Sequence, residues 1–449
     1  MLKTLKGLFT KKNKDLRKRL YFTIAVLTLY IIGTGIEIPV DALKEQIDSL
    51  GFLEMLNIMG GGALKRFSIF GLGVIPYITA SIVIQLLQMD IIPYFSDLAK
   101  QGHTGKQKLN QITRYLGIGF AFFQGFAMSY LFASGGNVLT LVDKLEVAFI
   151  MTAGTAFLLW LGDQVTQKGF GNGTSLIIMA GIVSALPNEL LTAFKTFFGI
   201  STDSTIVDGL SGVADKSLII SGSAKFLLFV LICALVVVGV VFVEGAARRI
   251  SIQYANKSTA NLGKQTYMPI KINSAGVIPV IFASSLLAVP VTIAQFVNNT
   301  GFKDFVNNYI SYTTPVGLVL YIVFIIFFDY FYTFIQMKPE DMAKNLKDNG
   351  GYVPGIRPGK DTEKYFSRML VKLTTAGSVF LAILAAFPIL VNMLTNLPQS
   401  VSIGGTGLLI VVGVSIETYK QMESSLLARE YTSVTTSTRG GRGRRRARR

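Results

Sequence analysis

The chain has 449 residues, of which 51% are hydrophobic and only 15% are charged, whereas roughly 25% of the residues of a soluble domain are charged. Its mean hydropathy is +0.50, yet 43 basic and 26 acidic residues leave a net charge of +17. This composition excludes a disordered protein, a disulfide-rich secreted protein and an ordinary soluble enzyme, and it favours one large membrane protein.

Apolar runs recur along the chain and predict an all-α polytopic membrane protein with ten transmembrane helices. Some runs have roughly the 20 residues that cross a bilayer, and others are somewhat shorter. The ten spans are residues 20–36, 73–89, 115–134, 147–162, 172–187, 226–243, 273–296, 314–336, 371–392 and 403–416. The first span ends in Thr34-Gly35-Ile36-Glu37, which lacks a small-x-small cleavage site, so it is predicted to be a helix rather than a removable signal.

The charges separate when the chain is divided at these ten spans. Segments on the side of the two termini hold 34 basic and 13 acidic residues, a net charge of +21, and segments on the other side hold 6 basic and 12 acidic residues, a net charge of −6. Cytoplasmic segments carry the excess of Lys and Arg in membrane proteins. The sequence therefore predicts that both termini are cytoplasmic.

Residues 73–81 and 276–284 form an internal repeat in which seven of nine positions match, Gly-Val-Ile-Pro-Tyr-Ile-Thr-Ala-Ser against Gly-Val-Ile-Pro-Val-Ile-Phe-Ala-Ser. The copies fall in spans two and seven, which run in opposite directions, as in two inverted five-helix halves. Coincidence between two proline-containing helices is the alternative. Proline inside each helix predicts a kink, and the small residues Ala80 and Ala283 predict close packing at a seam.

The segment before span two reads Asn-Ile-Met-Gly-Gly-Gly-Ala-Leu-Lys-Arg-Phe-Ser-Ile-Phe over residues 57–70. It is too short and too charged to cross a bilayer. At membrane depth such a backbone must be buried in protein or face water. We therefore predict a re-entrant segment over about residues 57–72, and an ordinary external loop is the alternative.

The predicted membrane interior contains almost no charge, except Asp329 in span eight and Lys372 near the start of span nine. Ion-coupled transporters place ionisable side chains near the middle of the bilayer. Asp329 is therefore either a proton or cation site or a residue at a cavity wall or at the membrane interface. The sequence leaves two hypotheses open, namely a passive channel and a small-solute secondary transporter that depends on Asp329.

The residue types that enzymes and metal sites need are scarce in this chain. The single Cys233 excludes an internal disulfide framework, and with the single His103 it cannot form a metal site. Residues 102–106, Gly-His-Thr-Gly-Lys, lack the spacing of a nucleotide-binding loop. We therefore predict no enzymatic activity, no cofactor and no metal, so that any transport is driven by a partner or a gradient.

Several motifs together resemble those of the SecY family of protein-conducting channels, in family order from about residue 15 to 425. Two of them are Gly-Phe-Gly-Asn-Gly-Thr-Ser at 169–175 and Gly-Tyr-Val-Pro-Gly-Ile-Arg-Pro-Gly at 351–359. The others lie at residues 57–64, 66–70, 75–78, 244–255, 276–285 and 404–410. The loop Gly-Ile-Arg-Pro-Gly is similar to the bacterial branch, which implies the bacterial plasma membrane.

This resemblance implies an hourglass channel in two halves, residues 20–195 and 226–416, that conducts unfolded secretory polypeptides and releases transmembrane segments sideways into lipid. The re-entrant segment is similar to the plug that closes the external funnel, and its candidate residues are Asn57, Gly60, Gly61, Gly62, Leu64 and Arg66. The constriction is similar to a ring of aliphatic side chains, here Val74, Ile78, Thr174, Ile178, Ile281 and Ile410. Thr174 departs from the usual aliphatic residue, and bulky aliphatic residues also fill the core of any membrane helix bundle.

Spans two and seven are similar to the family's lateral gate, for which the candidate residues are Pro76, Gln85, Gln124, Pro279 and Ser284. The resemblance implies that Gln85, Gln124 and Ser284 form hydrogen bonds across the gate. Such bonds contribute about 0.6 kcal/mol on average in a membrane protein, weak enough to break when a signal sequence inserts. Ordinary contacts between packed helices are the alternative.

The resemblance also implies the partners. The cytoplasmic loops 244–271 and 337–368 carry Arg248, Arg249 and Arg357, where the family docks the ribosome and the motor ATPase SecA, although solvated basic loops would have the same charge. The small subunits SecE and SecG, signal sequences, nascent polypeptides and membrane lipid are the other implied partners.

The basic segments 1–19 and 417–449 flank the two halves, and the second ends with seven arginines in its last eleven residues. The resemblance does not extend to these arginines: contact with ribosomal RNA or anionic lipid is one interpretation, and a solvated tail that only aids solubility is the alternative. A SecY-like channel dedicated to a few substrates is a third possibility.

Overall fold

The computed structural model describes residues 14–39, 62–64, 67–88, 92–133, 140–198, 216–254, 266–296, 300–310, 314–395 and 407–426. The first half contains the helices α1 (Lys14–Gly33), α2 (Ile75–Leu87), α3 (Pro93–Lys100), α4 (His103–Ala133), α5 (Leu141–Lys168) and α6 (Gly173–Phe197). The second half contains α7 (Lys216–Gly245), β1 (Ala247–Tyr254), β2 (Thr266–Lys271), α8 (Ile278–Phe296), α9 (Thr300–Phe305), a π-helical turn (Val306–Ile310), α10 (Pro315–Gln336), α11 (Pro339–Asp348), β3 (Gly351–Tyr352), α12 (Lys360–Thr395) and α13 (407–426).

Each of the ten predicted spans overlaps one of these helices. Among the described residues, five stretches are long and apolar enough to cross a membrane, namely Leu141–Lys168, Gly173–Phe197, Gly222–Gly245, Pro315–Asp348 and Lys360–Phe387. The helices α2 and α8, which carry the repeat, are apolar but shorter. With a rise of about 1.5 Å per residue, the 13 residues of α2 extend over roughly 20 Å, less than the apolar thickness of a bilayer.

Side chains placed directly before the helices satisfy the free backbone N–H groups at their first turns. The Thr140 hydroxyl accepts a hydrogen bond from Asp143 N, and the Asp143 carboxylate accepts one from Thr140 N at 2.9 Å. The Asn172 and Thr314 side chains accept hydrogen bonds from Thr174 N and Gly317 N. These residue types are the preferred helix N-caps, so the starts of α5, α6 and α10 follow from local sequence.

The helices pack as two groups that meet where α8 contacts α2 and α4 and where α7 contacts α6. In the first half α4 packs against α2 and α5, and α1 packs against α5 and α6. In the second half α10 packs against α8 and α12. The contact between α2 and α8 joins the two copies of the repeat, as the two-half architecture predicts.

The predicted kinks at Pro76 and Pro279 are wrong. Pro76 and Pro279 are the second residues of α2 and α8, because the helices begin at Ile75 and Ile278. Proline lacks an N–H group, but in the first turn of a helix that group would have no partner within the helix. A proline there can therefore begin the helix without bending it. The prolines inside described helices are Pro187 in α6, Pro290 in α8 and Pro388 in α12.

The loops 244–271 and 337–368 contain a small antiparallel sheet with strand order β2-β1-β3, which the all-helical prediction missed. The pairing of β1 with β2 runs from Ala247 opposite Lys271 to Ile252 opposite Thr266. One face of the sheet covers a separate apolar core, whose buried members include Ile250, Ile252, Ile270, Leu346 and Phe366. The alternation of Ile250 and Ile252 with polar residues is the period-two pattern of a half-buried strand.

Candidate functional site: the junction between the two halves

The two copies of the repeat have the same local structure at the junction. Gly73 and Gly276 have positive φ angles of 57° and 65°, and each lies two residues before its helix. Glycine adopts this left-handed conformation without the steric cost that a side chain brings. The equivalent residues Ala80 and Ala283, seven positions further on, are both fully buried, so small side chains lie where the helices approach neighbouring elements.

Four of the six candidate ring residues are buried in one apolar cluster, and a fifth packs against it. Val74 precedes α2, and Ile178, Ile281 and Ile410 come from α6, α8 and α13. Ile78 of α2 is half-buried against the same cluster. The fold thus brings together aliphatic side chains from both halves that are separated by more than 300 positions along the chain.

Thr174 has a different environment from the other five. It is half-buried in the first turn of α6, one turn before Ile178, and its hydroxyl donates a hydrogen bond to Asn172 Oδ1 at 2.6 Å. Its methyl carbon lies near Gly162 of α5. The Thr174 side chain is therefore engaged with the start of its own helix.

Of the candidate plug residues, Gly62 and Leu64 belong to the described part of the chain, whereas Asn57, Gly60, Gly61 and Arg66 lie outside it. Leu64 is buried and Gly62 has a positive φ of 80°. The residues around them form short turns, in which Phe67 N donates to the Leu64 carbonyl at 3.1 Å.

This turn segment, residues 62–74, is fixed to the end of α1 by hydrogen bonds of its described residues, 62–64 and 67–74. The Ser68 hydroxyl donates to the Gly33 carbonyl at 3.0 Å, and Ile69 N donates to the Ile36 carbonyl at 3.1 Å. Ile38 N donates to the Phe67 carbonyl at 2.7 Å. The segment is therefore non-helical backbone that is buried in protein, which is the condition for irregular structure at membrane depth.

Aromatic packing adds a second attachment of the same segment. The Phe70 ring is stacked with the rings of Tyr30 in α1 and Phe157 in α5, each with centroids 6.1 Å apart. Glycines allow this close approach, because a Cβ at Gly33 would overlap the Phe70 ring and a Cβ at Gly154 would overlap the Ile69 carbonyl. Sequence reasoning missed Gly33, Gly154 and Phe70, since nothing in their local pattern indicates what they contact.

An apolar cavity of about 360 Å³ lies where α2, α4 and α8 meet. Its lining includes Ile82 and Leu86 of α2, Gln124 of α4, and Phe282 and Leu286 of α8. Leu64 and Leu72 of the turn segment also line it. The cavity thus lies between the two repeat helices and touches the segment predicted to be the plug.

The candidate gate residues occupy this seam, but the hydrogen bonds described for two of them stay within their own helices. Gln85 donates to Ser81 Oγ at 3.1 Å, and Ser284 donates to the Ile281 carbonyl at 2.9 Å. A hydroxyl on a helix readily bonds to the carbonyl three or four residues earlier. Pro76 and Pro279 are buried at the helix starts, and Gln124 is half-buried at the cavity.

The three candidate docking arginines are exposed on the small sheet and the turn that follows it. Arg248 and Arg249 lie on β1, and Arg357 lies between β3 and α12. The turn is shaped by the positive φ angles of Gly355 and Gly359, and the Thr362 hydroxyl donates to the Arg357 carbonyl at 2.8 Å. The local backbone therefore holds Arg357 on an ordered turn, as its Gly and Pro content predicts.

A buried polar network at the base of α8 was not predicted from the sequence. The Asn273 amide donates to Glu244 Oε1 at 2.7 Å and to the Gly276 carbonyl at 3.1 Å, while its oxygen accepts from Gly276 N at 3.0 Å. Glu244 is the penultimate residue of α7, so this network ties α7 to the glycine turn that precedes α8. Only the fold shows that these residues, 29 positions apart, are neighbours.

The model of the SecY family matches residues 68–419. A curated relative from Staphylococcus aureus named "Protein translocase subunit SecY" is 47% identical over 441 residues, covering 96% of this chain and 99% of its own length. Another relative of the same name from Staphylococcus carnosus is 45% identical over 430 residues, covering 94% and 96%.

Solved structures with the same fold are also channels by their descriptions. "The structure of a protein conducting channel" superposes with a TM-score of 0.65 at 20% identity and covers 91% of this chain and 92% of its own. "Sec61 in the Canine ribosome-channel complex from the endoplasmic reticulum" has a TM-score of 0.61 at 21% identity, with the same coverage. A family match over most of the chain and close relatives of nearly equal length show that the chain belongs to the SecY family.

Proposed function

We propose that this chain is the central channel-forming subunit of a general protein translocase. It conducts unfolded secretory polypeptides across the membrane and releases transmembrane segments laterally into lipid. The observation that carries this proposal is the apolar cluster at the junction of the two halves, which contains Val74, Ile178, Ile281 and Ile410. Near-full-length relatives named as translocase subunits support the same function.

The proposed constriction works through the chemistry of its side chains. An apolar ring excludes water and therefore resists the passage of small ions, while flexible aliphatic side chains fit around a moving polypeptide. Neither property needs a charged group or a cofactor. We propose that Val74, Ile78, Ile178, Ile281 and Ile410 form this ring, and that Thr174 contributes from its cytoplasmic side.

In this proposal the seam between α2 and α8 is the lateral gate, and the turn segment is the plug. The attachment of residues 62–74 to α1 and α5 supports a plug that lies against the seam at rest. Displacement of α8 from α2 would enlarge the apolar cavity between them and expose it to lipid, which suits an apolar signal sequence. Weak intrahelical bonds at Gln85 and Ser284 leave those polar groups free to exchange partners during opening.

In this proposal the energy for transport comes from the partners of the channel, whereas its orientation follows from its own charges. We propose a bacterial plasma membrane protein with both termini in the cytoplasm, consistent with the positive-inside distribution. Arg248, Arg249 and Arg357 would dock the ribosome and SecA, and SecE and SecG would complete the complex. In this proposal the chain consists of the basic segment 1–19, the two halves 20–195 and 226–416, and the basic tail 417–449.

Site-specific crosslinking tests the proposal. Cys233 is first replaced by Ser, and single cysteines are then placed at Ile78, Ile178 or Ile281. A secretory polypeptide arrested during translocation should crosslink to all three positions. Val238, which is exposed on α7, is the matched control and should not crosslink. Crosslinks from the control alone would show that the polypeptide follows another path.

The secondary-transporter alternative depends on Asp329. The structure buries this residue in α10, where Gly377 of α12 and Asn273 are its neighbours. A transporter predicts that Asp329→Asn abolishes uptake of its solute, whereas the channel proposal predicts normal secretion in this variant. A secretion assay with Asp329→Asn therefore separates the two functions.

A further inference from the structure

A carboxylate without a partner is buried in the second half of the chain. Asp329 of α10 is only 2% exposed, and within the described residues its Oδ2 atom has no hydrogen-bond partner. The hydroxyl of Thr374 on α12 is also buried and without a partner in the described structure. An ionised carboxylate in such surroundings is costly unless a positive charge lies beside it.

Gly377 of α12 lies close to this carboxylate and to the segment before α8. A Cβ atom added at Gly377 would lie 3.7 Å from Asp329 Oδ2 and 3.1 Å from the Ile272 carbonyl oxygen. Two oxygen acceptors thus face the same small space, from α10 and from the segment before α8. Thr374 precedes Gly377 by three residues and therefore lies on the same face of α12.

The neighbouring polar groups do not supply the missing positive charge. The Asn273 Cα atom lies 3.6 Å from the same point, but its side-chain amide is already bonded to Glu244 and Gly276. Glu244 adds a second buried acid to this region. The side chains of Lys271 and Lys372, the basic residues nearest in sequence, are exposed.

We propose that a monovalent alkali cation, with Na⁺ as the probe, binds between Asp329 Oδ2, the Ile272 carbonyl and the Thr374 hydroxyl. One carboxylate with neutral oxygen ligands matches a hard ion of single charge. In the described residues, no group of three His, Cys, Asp or Glu side chains is placed to hold a metal ion, as a transition metal would prefer. The ion joins α10 and α12 to the segment that leads into α8.

Asp329 lies seven residues before the end of α10 at Gln336, which is about 10 Å along the helix. The site is therefore in the half of α10 that ends at Gln336. This inference concerns a site separate from the proposed constriction, and it stands or falls independently of the channel function.

Thermal unfolding of the full-length chain in detergent, together with the subunits that accompany it, tests the proposal. We compare NaCl with choline chloride at equal ionic strength. Binding to the folded state raises the unfolding midpoint, so the midpoint of the unchanged chain should be about 2 °C or more higher in NaCl. Asp329→Asn keeps the side-chain volume and removes the charge, and Gly377→Ala fills the space. Both variants should lose the difference between the two salts.

A substitution elsewhere in the second half serves as the control. Asp304→Asn, which removes an exposed acid of α9, should keep the full response to Na⁺. If Gly377→Ala does not fold, Thr374→Val removes one proposed ligand and should reduce direct binding of radioactive Na⁺ by the purified chain. Equal midpoints of the unchanged chain in the two salts would overturn the proposal, as would an undiminished Na⁺ response in Asp329→Asn.

Discussion

The ring of Phe70 occupies the space that a side chain at Gly33 would need. This contact places the turn segment 62–74 directly against the end of α1, where the Ser68 hydroxyl also bonds to the Gly33 carbonyl. The same ring is stacked between Tyr30 and Phe157. Gly33 is thus the point at which the proposed plug is joined to the first half.

Gly33→Ala should displace this segment. The added methyl group overlaps the Phe70 ring, and overpacking of this kind typically costs about 1–3 kcal/mol. We expect a lower unfolding midpoint and a higher ion leak through the resting channel. Thermal unfolding and ion flux into vesicles that contain the purified chain measure the two effects.

Gly119→Ala is the control for this substitution. Gly119 lies in α4, and a Cβ added there would meet no atom within 4 Å. It should leave the resting leak unchanged, and its stability should rise slightly because Ala favours a helix. If the two variants have the same resting leak, the contact between Gly33 and Phe70 does not contribute to the ion seal.

Ile281→Ser should weaken the barrier to ions at the junction. The substitution places a hydroxyl in the apolar cluster that Ile281 shares with Ile178, and a polar group favours water in a narrow passage. We expect a severalfold higher conductance in planar bilayers after the channel is opened by a signal peptide. Ile281→Leu conserves volume and should behave like the unchanged chain.

Thr174→Val tests whether Thr174 belongs to the ring. Its hydroxyl donates to Asn172 at the start of α6, so we expect a loss of about 0.5–1.5 kcal/mol of stability from the missing bond. If Thr174 faces the passage, the valine should also lower the conductance of the opened channel. An unchanged conductance would mean that Thr174 only stabilises the start of α6.

The all-helical membrane fold and the approximate positions of its apolar helices could be predicted from sequence because burial in a bilayer requires long apolar runs. The repeat could be recognised because its two copies share seven residues. The kinks at Pro76 and Pro279 were predicted wrongly because an apolar run extends beyond its helix. The backbone turns at Gly73 and Gly276 place each proline in a first turn instead.

The contacts that hold the candidate site together depend on the folded chain. The stacking of Phe70 on Tyr30 and Phe157, and the bonds of Asn273 to Glu244, join residues whose local sequences show no shared pattern. The small sheet was not predicted because its strands lie in two loops that were interpreted only through their basic charge. Period-two alternation at Ile250 and Ile252 was the available signal.

Arg357→Glu should weaken docking of an anionic partner such as ribosomal RNA. Arg357 is exposed on an ordered turn, so reversing its charge removes an attraction without disturbing the fold. We expect about tenfold weaker ribosome binding at low salt and a salt dependence that is smaller by about one unit of slope. Lys225→Glu, an exposed residue of α7 predicted to lie near the opposite side of the membrane, is the control and should bind ribosomes normally.

Asn273→Ala should destabilise the base of α8. The substitution removes the donor to Glu244 and both bonds to Gly276, and it leaves a buried carboxylate without its amide partner. Unsatisfied buried groups of this kind cost about 1–3 kcal/mol, and more when charged. Thermal unfolding should show a clear decrease, and Ser274→Ala, which removes only an exposed bond to the Lys271 carbonyl, should show almost none. Because Gly276 precedes α8, one of the two proposed gate helices, we also expect Asn273→Ala to lower the signal-peptide concentration that opens the channel. Equal stability of the two variants would mean that the network does not hold α8 in place.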